Sequence, residues 1–261
     1  MSALKPLHFI VTRPNHQQQN LIDGLSNLSI NQDAIQISHF PLIQITDYNE
    51  NRITLKPRYD GVIFISSNAV NYCKGLLTPE QWENLLRNPL YAVGEQTATH
   101  VSDQRELLEI KSSKPVIYPT QMDSEGLLSV LPLKAIAQQS WLIVKGLGGR
   151  KKLKQVLCKS GAQIEELDVY QRKLPDLSIQ KNIFSVAKTN PIWLITSQQA
   201  LVNLWRILEK RTQNCRIIVS SDRIAAKAVK LGFSLVARSN GATDSQLILT
   251  VQNLIQNPAQ D

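Results

Sequence analysis

Short runs of apolar residues, each ending in a small or hydroxylated residue and leading into helical spacing, recur along this chain. Residues 63–70 read IFISSNAV, and 194–201 repeat the device as LITSQQAL. Residues 93–98 (VGEQTA) stand against 219–225 (VSSDRIA), and 122–128 (MDSEGLL) against 243–248 (TDSQLI). A fourth pair is out of order: 10–21 (IVTRPNHQQQNL) opens the chain, and its counterpart 143–153 (IVKGLGGRKKL) lies in the middle. Wholly apolar strands alternating with amphipathic helices predict parallel sheets covered on both faces, because a parallel pair needs a crossover of about a dozen residues or more.

The predicted strands are 8–12, 61–65, 91–93, 116–118, 141–144, 193–196, 216–219 and 235–237. Residues 17–28 predict an amphipathic helix with Leu21, Ile22, Leu25 and Leu28 on one face. Residues 34–45 (AIQISHFPLIQI) alternate as an extended strand does, but Pro41 has no N–H to give a ladder, so an edge or connecting strand is expected. Its counterpart is 163–170 (QIEELDVY), running on towards Pro175.

The repeats follow a cyclic order, so one half of the molecule interrupts the other. The expected fold class is α/β: two flavodoxin-like, doubly wound parallel-sheet domains joined by two extended strands. The outer domain would comprise 1–38 and 174–261, the inserted one 42–168, with crossings at 39–41 and 169–173. One large α/β domain with generically similar βαβ units is the alternative. Two facing domains would direct strand ends and helix N-termini into a cleft, which suits a ligand with several anionic groups.

Composition narrows the function classes. The chain has 261 residues, 43% apolar and 19% charged, enough for two modest cores and too apolar for disorder. No signal peptide is read at the start, and no apolar run approaches the roughly 20 residues that span a bilayer, so a cytoplasmic protein is expected. Cys73, Cys158 and Cys215 show no CxxC spacing and read as buried or half-buried reduced thiols. His8, His16, His39 and His100 show no ligand spacing, so no metal is expected. The net charge of +8 favours a polyanionic partner, but aromatics at 6% and the lack of any helix-turn-helix, RNP-like or zinc pattern argue against nucleic acid.

The series TRP (12–14), YDGVIFISSNAV (59–70), AVGEQTA (92–98), SEGLL (124–128), KGLGGRKKL (145–153) and VYQR (169–172) resembles the uroporphyrinogen-III synthase family. TSQQAL and VSSDRIAAKAVKLGF continue the likeness, which covers nearly the whole chain. Each motif is weak alone; their order and spacing are specific. The resemblance implies a cofactor-free lyase of tetrapyrrole biosynthesis, acting on hydroxymethylbilane. Water leaves the hydroxymethyl end of ring A, the resulting azafulvene is attacked by ring D at its substituted carbon, and a spiro intermediate reopens and closes with ring D inverted.

That substrate carries an acetate and a propionate on every ring, and helix N-termini suit carboxylates. Thr12, Ser66, Ser67, Asn68, Gly94, Thr97, Ser124, Thr196, Ser197, Ser220 and Ser221 are the expected substrate-binding residues at such turns. Lys145, Gly146, Gly149 and Arg150 form a basic turn resembling the family's Gly-Gly-Arg element, and Arg13 occupies the matching turn of the other repeat. Arg13, Arg150 and Arg223 are the expected charge partners, since guanidinium forks take carboxylates bidentately. Tyr170 matches the family tyrosine of the VY element and is expected to help the hydroxyl depart.

Duller readings accompany these. Ser and Asn after a strand are ordinary helix caps, and KGLGGRKK lacks the GKS or GKT ending of a Walker loop. The chain departs from the family pattern at Lys145, where Arg is expected, and at Ile224, which stands against Thr97. A non-catalytic two-domain binding protein for a polyanionic small molecule is the rival function. A monomer and a transient contact with the deaminase that makes the bilane complete the expectations.

Overall fold

The computed structural model describes residues 7–28, 35–48, 55–110, 114–149, 151–209 and 211–256. The chain forms two compact units, Met1–Gln44 with Lys173–Asp261, and Ile45–Arg172. It begins with β1 (Leu7–Val11), a 3-10 turn (Asn15–Gln17), α1 (Gln19–Ser26) and β2 (Ile35–His39). The inserted unit's sheet is built from β3 (Gln44–Asp47), β4 (Gly61–Phe64), β5 (Leu90–Ala92), β6 (Ser140–Gly146) and β7 (Gln163–Lys173). Its helices are α2 (Ser67–Leu76), α3 (Pro79–Leu86), α4 (Glu95–Leu107), α5 (Ser124–Val130) and α6 (Lys152–Lys159). The chain then completes the first unit with α7 (Leu177–Ala187), β8 (Ile192–Ile195), α8 (Gln198–Ile207), β9 (Arg216–Val219), α9 (Asp222–Lys230), β10 (Ser234–Arg238) and α10 (Asp244–Gln256).

The first sheet runs β10-β9-β8-β1-β2, and the second β3-β7-β6-β4-β5. Read from its other edge, β5-β4-β6-β7 places the repeat-paired strands in the same spatial order as β9-β8-β1-β2. Matched repeats therefore occupy matching places in the two sheets. Both orders reverse direction once along the chain, between β1 and β8 and between β4 and β6, as doubly wound sheets do. The pairs β1–β8, β8–β9, β4–β5, β4–β6 and β6–β7 are parallel.

Packing on both faces explains why these strands are apolar throughout. Every residue of β4 and of β8 is buried. In the inserted unit Val62, Phe64, Leu142 and Val144 join Ala69, Val70, Cys73, Trp82 and Leu86 on one face. Ile63, Trp141 and Ile143 join Leu127, Leu153 and Leu157 on the other. Alternate residues of one strand therefore serve two cores. In the first unit Phe9, Val11, Ile192, Leu194 and Ile218 pack with Leu21, Leu25, Leu247 and Val251. Gly61 sits opposite Trp141, and a Cβ there would lie 2.2 Å from the indole ring, so only glycine fits beneath it.

Several expectations need adjustment. Helix α1 begins later than residue 17 because Gln17 N–H closes a 3-10 turn on the Pro14 carbonyl at 2.9 Å. Residues 34–45 split about Pro41 into β2 and β3, which are edge strands of two different sheets. The strand expected at 116–118 is one parallel bridge between Ile117 and Tyr91. Ile117 donates to Leu90 O and accepts from Ala92 N, both at 2.9 Å. Pro115 and Pro119 remove donors on either side, so pairing cannot spread. Cys158 is exposed, not half-buried, since Leu153 and Leu157 hold the core side of α6. No described helix is long and apolar enough to cross a membrane.

Candidate active site

The order reversals place two pairs of strand ends at sites where doubly wound sheets bind ligands, beyond the carboxyl ends of the strands. In the inserted unit these are the turns after β4 and β6; in the first unit, those after β1 and β8. The motifs Ser66–Ser67–Asn68 and Lys145–Gly146 meet at the first, and Thr12–Arg13 and Thr196–Ser197 at the second.

Each serine turn opens a helix by capping it. Ser66 Oγ accepts from Ala69 N at 3.1 Å, Ser197 Oγ from Ala200 N at 3.1 Å and Ser221 Oγ from Ile224 N at 3.4 Å. Gly94 is the N-cap of α4, and Asp123 rather than Ser124 caps α5, its carboxylate accepting from Gly126 N at 2.8 Å. A side-chain cap satisfies one of the four donors at a helix start, so an N–H group of the first residue inside, such as Ser67, still faces outward for an anion. The side chains of Asn68 and Thr97 are themselves buried. Thr12 Oγ1 donates to Leu194 O, and Ser220 Oγ to Thr196 O at 3.3 Å. Those two hydroxyls tie neighbouring strand ends together.

The basic residues differ sharply in surroundings. Arg13 donates to the Asp244 carboxylate and the Ala242 carbonyl, with its side chain only 13% exposed, so the turn after β1 is clasped to the start of α10. Lys145 is held similarly: Nζ donates to Asp168 Oδ1 at 2.6 Å and to Gly148 O at 3.1 Å, and lies 3.6 Å from Glu166 Oε1. Burial would raise the Glu166 carboxyl, but the hydrogen bond from Lys154 and the two lysine charges outweigh it and hold it below the usual range. Gly148 and Gly149 take positive φ at 80° and 90°, the left-handed turn that lets the loop reverse. Arg150 lies outside the described residues. Arg223 is exposed on the first turn of α9, and Ile224 beside it is buried in the core.

Tyr170 is buried, at 3% exposure. The β6–β7 register shifts between Lys145 and Gly146, so Lys145 faces Asp168 and Gly146 faces Tyr170. This irregularity lets consecutive Val169 and Tyr170 both be buried. The Tyr72 ring packs 5.7 Å from that of Tyr170, and Ser66 Oγ lies 3.2 Å from its Oη. Within the inserted unit the structure thus brings Tyr170 to the helix start after β4 and the glycine turn after β6.

Glycine at 146 is what makes room for the ring: a Cβ there would lie 2.5 Å from Tyr170 Cε2 and Cζ. Gly146→Ala is expected to lower turnover at least about tenfold and stability by about 1–2 kcal/mol, because the ring must leave its slot. Turnover and urea midpoint both at wild-type values would show that the ring moves aside freely.

Sequence reasoning missed the partners that engage the cations, Asp244 for Arg13 and Asp168 with Glu166 for Lys145. A local signal existed for the second pair, since 163–170 carries three carboxylates and was already read as an extended strand. Nothing local pointed to Asp244. Tyr72 and Arg172, the last residue of VYQR, touch Tyr170, and the sequence assigned neither of them a role.

A family model described as uroporphyrinogen-III synthase HemD matches residues 25–248. The uroporphyrinogen-III synthase of Escherichia coli K12 is 25% identical over 94% of this chain and 100% of its own length. That of Proteus mirabilis is 28% identical over 65% of this chain and 82% of its own. Among solved structures, uroporphyrinogen-III synthetase from Helicobacter pylori superposes with a TM-score of 0.60 at 18% identity, covering 93% of this chain and 97% of that one. A mutant of the Thermus thermophilus synthase gives 0.58 at 12% identity, over 98% and 100%. These two likenesses bear on the fold, and the family match spans most of the sequence: the chain belongs to the uroporphyrinogen-III synthase family.

Proposed function

We propose that this chain cyclises hydroxymethylbilane to uroporphyrinogen III with loss of water, as a cofactor-free enzyme of tetrapyrrole biosynthesis. The observation that carries the reading is the family match over residues 25–248. The placement of Tyr170 Oη beside Ser66, at an order reversal of the inserted sheet, supports it.

Catalysis on this reading is mostly positional. The bilane ionises readily and closes unaided to the symmetrical isomer, so the protein must hold the chain with the substituted carbon of ring D nearest the cationic carbon of ring A. Each unit by itself offers N–H groups suited to carboxylates, at the starts of α2 and α4 beside the basic glycine turn in the inserted unit and at the starts of α8 and α9 beside Arg223 in the other. Tyr170 donates its phenolic proton to the departing hydroxyl. The enzyme works in the cytoplasm, and the preceding deaminase passes the reactive bilane across in a transient contact.

The test supplies purified protein with freshly generated hydroxymethylbilane, oxidises the products and separates the uroporphyrin isomers. Isomer III is expected to dominate. Isomer I alone, formed at the uncatalysed rate, would sink the proposal and leave a binding protein for a polyanionic small molecule.

A further inference from the structure

We propose that Arg172 is a positioning residue for Tyr170, holding the phenol so that its hydrogen faces the leaving hydroxyl and receiving the charge that develops when that hydrogen departs. The inference rests on the reading of Tyr170 as proton donor and goes beyond it to Arg172, the last residue of the VYQR motif, to which the sequence assigned no role.

Four observations within the inserted unit carry it. Arg172 Nη2 donates to Tyr170 Oη at 3.3 Å. Its guanidinium carbon stands 5.7 Å from the centre of the same ring, within cation–π range. Ser66 Oγ lies 3.2 Å from Oη on the helix side. Tyr72 packs on the ring while its own hydroxyl donates to Ile45 O at 2.8 Å, so that support is itself fixed.

Donor and acceptor roles follow from chemistry. A guanidinium has no acceptor, so Tyr170 Oη can only accept from Arg172. The phenolic hydrogen must then point elsewhere, to Ser66 or to a substrate oxygen. Ser66 Oγ already accepts from Ala69 N and keeps one hydrogen of its own, which can turn towards Oη.

When the hydroxymethyl oxygen arrives, the phenolic hydrogen passes to it and Ser66 donates to Oη in its place. The C–O bond breaks with both electrons going to oxygen, water leaves, and the bilane keeps the positive charge. The phenolate formed at that moment accepts from both Arg172 and Ser66. Rearomatisation after ring closure releases one proton, which returns to Tyr170, so the cycle is balanced. Strands are a natural platform for this device: Tyr170 and Arg172 are two residues apart on β7 and share a face.

The test combines kinetics with a resonance that needs no turnover. Arg172 is exposed, so Arg172→Met should fold. It is expected to lower kcat about tenfold, with KM for hydroxymethylbilane within about twofold, and Arg172→Lys should restore most of the loss. Tyr170→Phe/Arg172→Met should be no slower than Tyr170→Phe alone. An equal further loss in the double variant would overturn the proposal. So would a raised KM with unchanged kcat, which would make Arg172 a carboxylate anchor. Independently, the 13Cζ resonance of Tyr170, identified by its disappearance in Tyr170→Phe, should move in Arg172→Met; a stationary signal would refute the contact. A moved signal together with full turnover by Tyr170→Phe would instead sink the proton-donor reading of Tyr170 and, with it, the catalytic use of a contact that is present.

Discussion

Tyr170→Phe is expected to lower turnover on hydroxymethylbilane by about a hundredfold while leaving product affinity within about twofold. The substitution is unusually clean here. The ring packs against Tyr72 and fits over Gly146, and Phe keeps both contacts. Only the oxygen is lost, with its contacts to Ser66 at 3.2 Å and Arg172 at 3.3 Å. Uniform loss of binding would raise KM, whereas loss of a group used only as the hydroxyl departs lowers kcat. Residual activity should still yield isomer III, because positioning by the remaining groups decides which carbon closes. Full turnover in the variant would remove Tyr170 from the chemistry.

Arg105→Met is expected to destabilise the inserted unit by about 3 kcal/mol or more. Arg105 is 7% exposed near the end of α4. Its Nε donates to Leu86 O, Nη1 to Lys114 O and Nη2 to Asn88 O, each at 2.9 Å. Burial lowers its pKa from the usual value, yet a guanidinium starts so high that it stays charged at neutral pH. One side chain thus satisfies carbonyls from the end of α3, the following turn and the segment before Pro115. Removing it strands three acceptors, each costing about 1–3 kcal/mol if left unpaired. Arg105→Lys should fail to rescue, because an ammonium does not reproduce the planar fork. Urea unfolding followed by tryptophan fluorescence reports it, since Trp82 and Trp141 lie in the two cores of this unit. A midpoint within about 0.3 M of wild type would show that water or other donors reach the three carbonyls.

The fold was legible where periodicity and local chemistry agreed. Residues 63–70 and 194–201 each join an apolar strand to a serine cap, and both form that strand, cap and helix. The motifs paired in the sequence belong to strands that take matching places in the two sheets. Legibility failed where a residue's environment is set far away in sequence. Arg13 read as a free charge, but Asp244 engages it from 231 positions on. Lys145 read likewise, and the strand register that puts it opposite Asp168 is a property of the sheet. The bridge at Ile117 is a different kind of miss, since Pro115 and Pro119 stand on either side of it in the sequence and neither has an N–H to extend a ladder. Ser66 illustrates a middle case: cap and candidate ligand were both anticipated, and the cap does not use up the oxygen.

The nested strand order also has a consequence for the chain as it leaves the ribosome. Everything the inserted sheet needs is contiguous, so that unit can close as soon as β7 has been made. The other unit cannot: β1 must wait for β8, and the Thr12 hydroxyl finds its Leu194 carbonyl only across 182 residues. Until then the edge of β1 that will pair with β8 is an open template in a nascent polypeptide, the kind of exposure that chaperones exist to cover. Synthesis therefore completes the inserted unit before the unit that flanks it in sequence, and α10, the last of the described helices to emerge, brings the carboxylate that fastens the turn after β1.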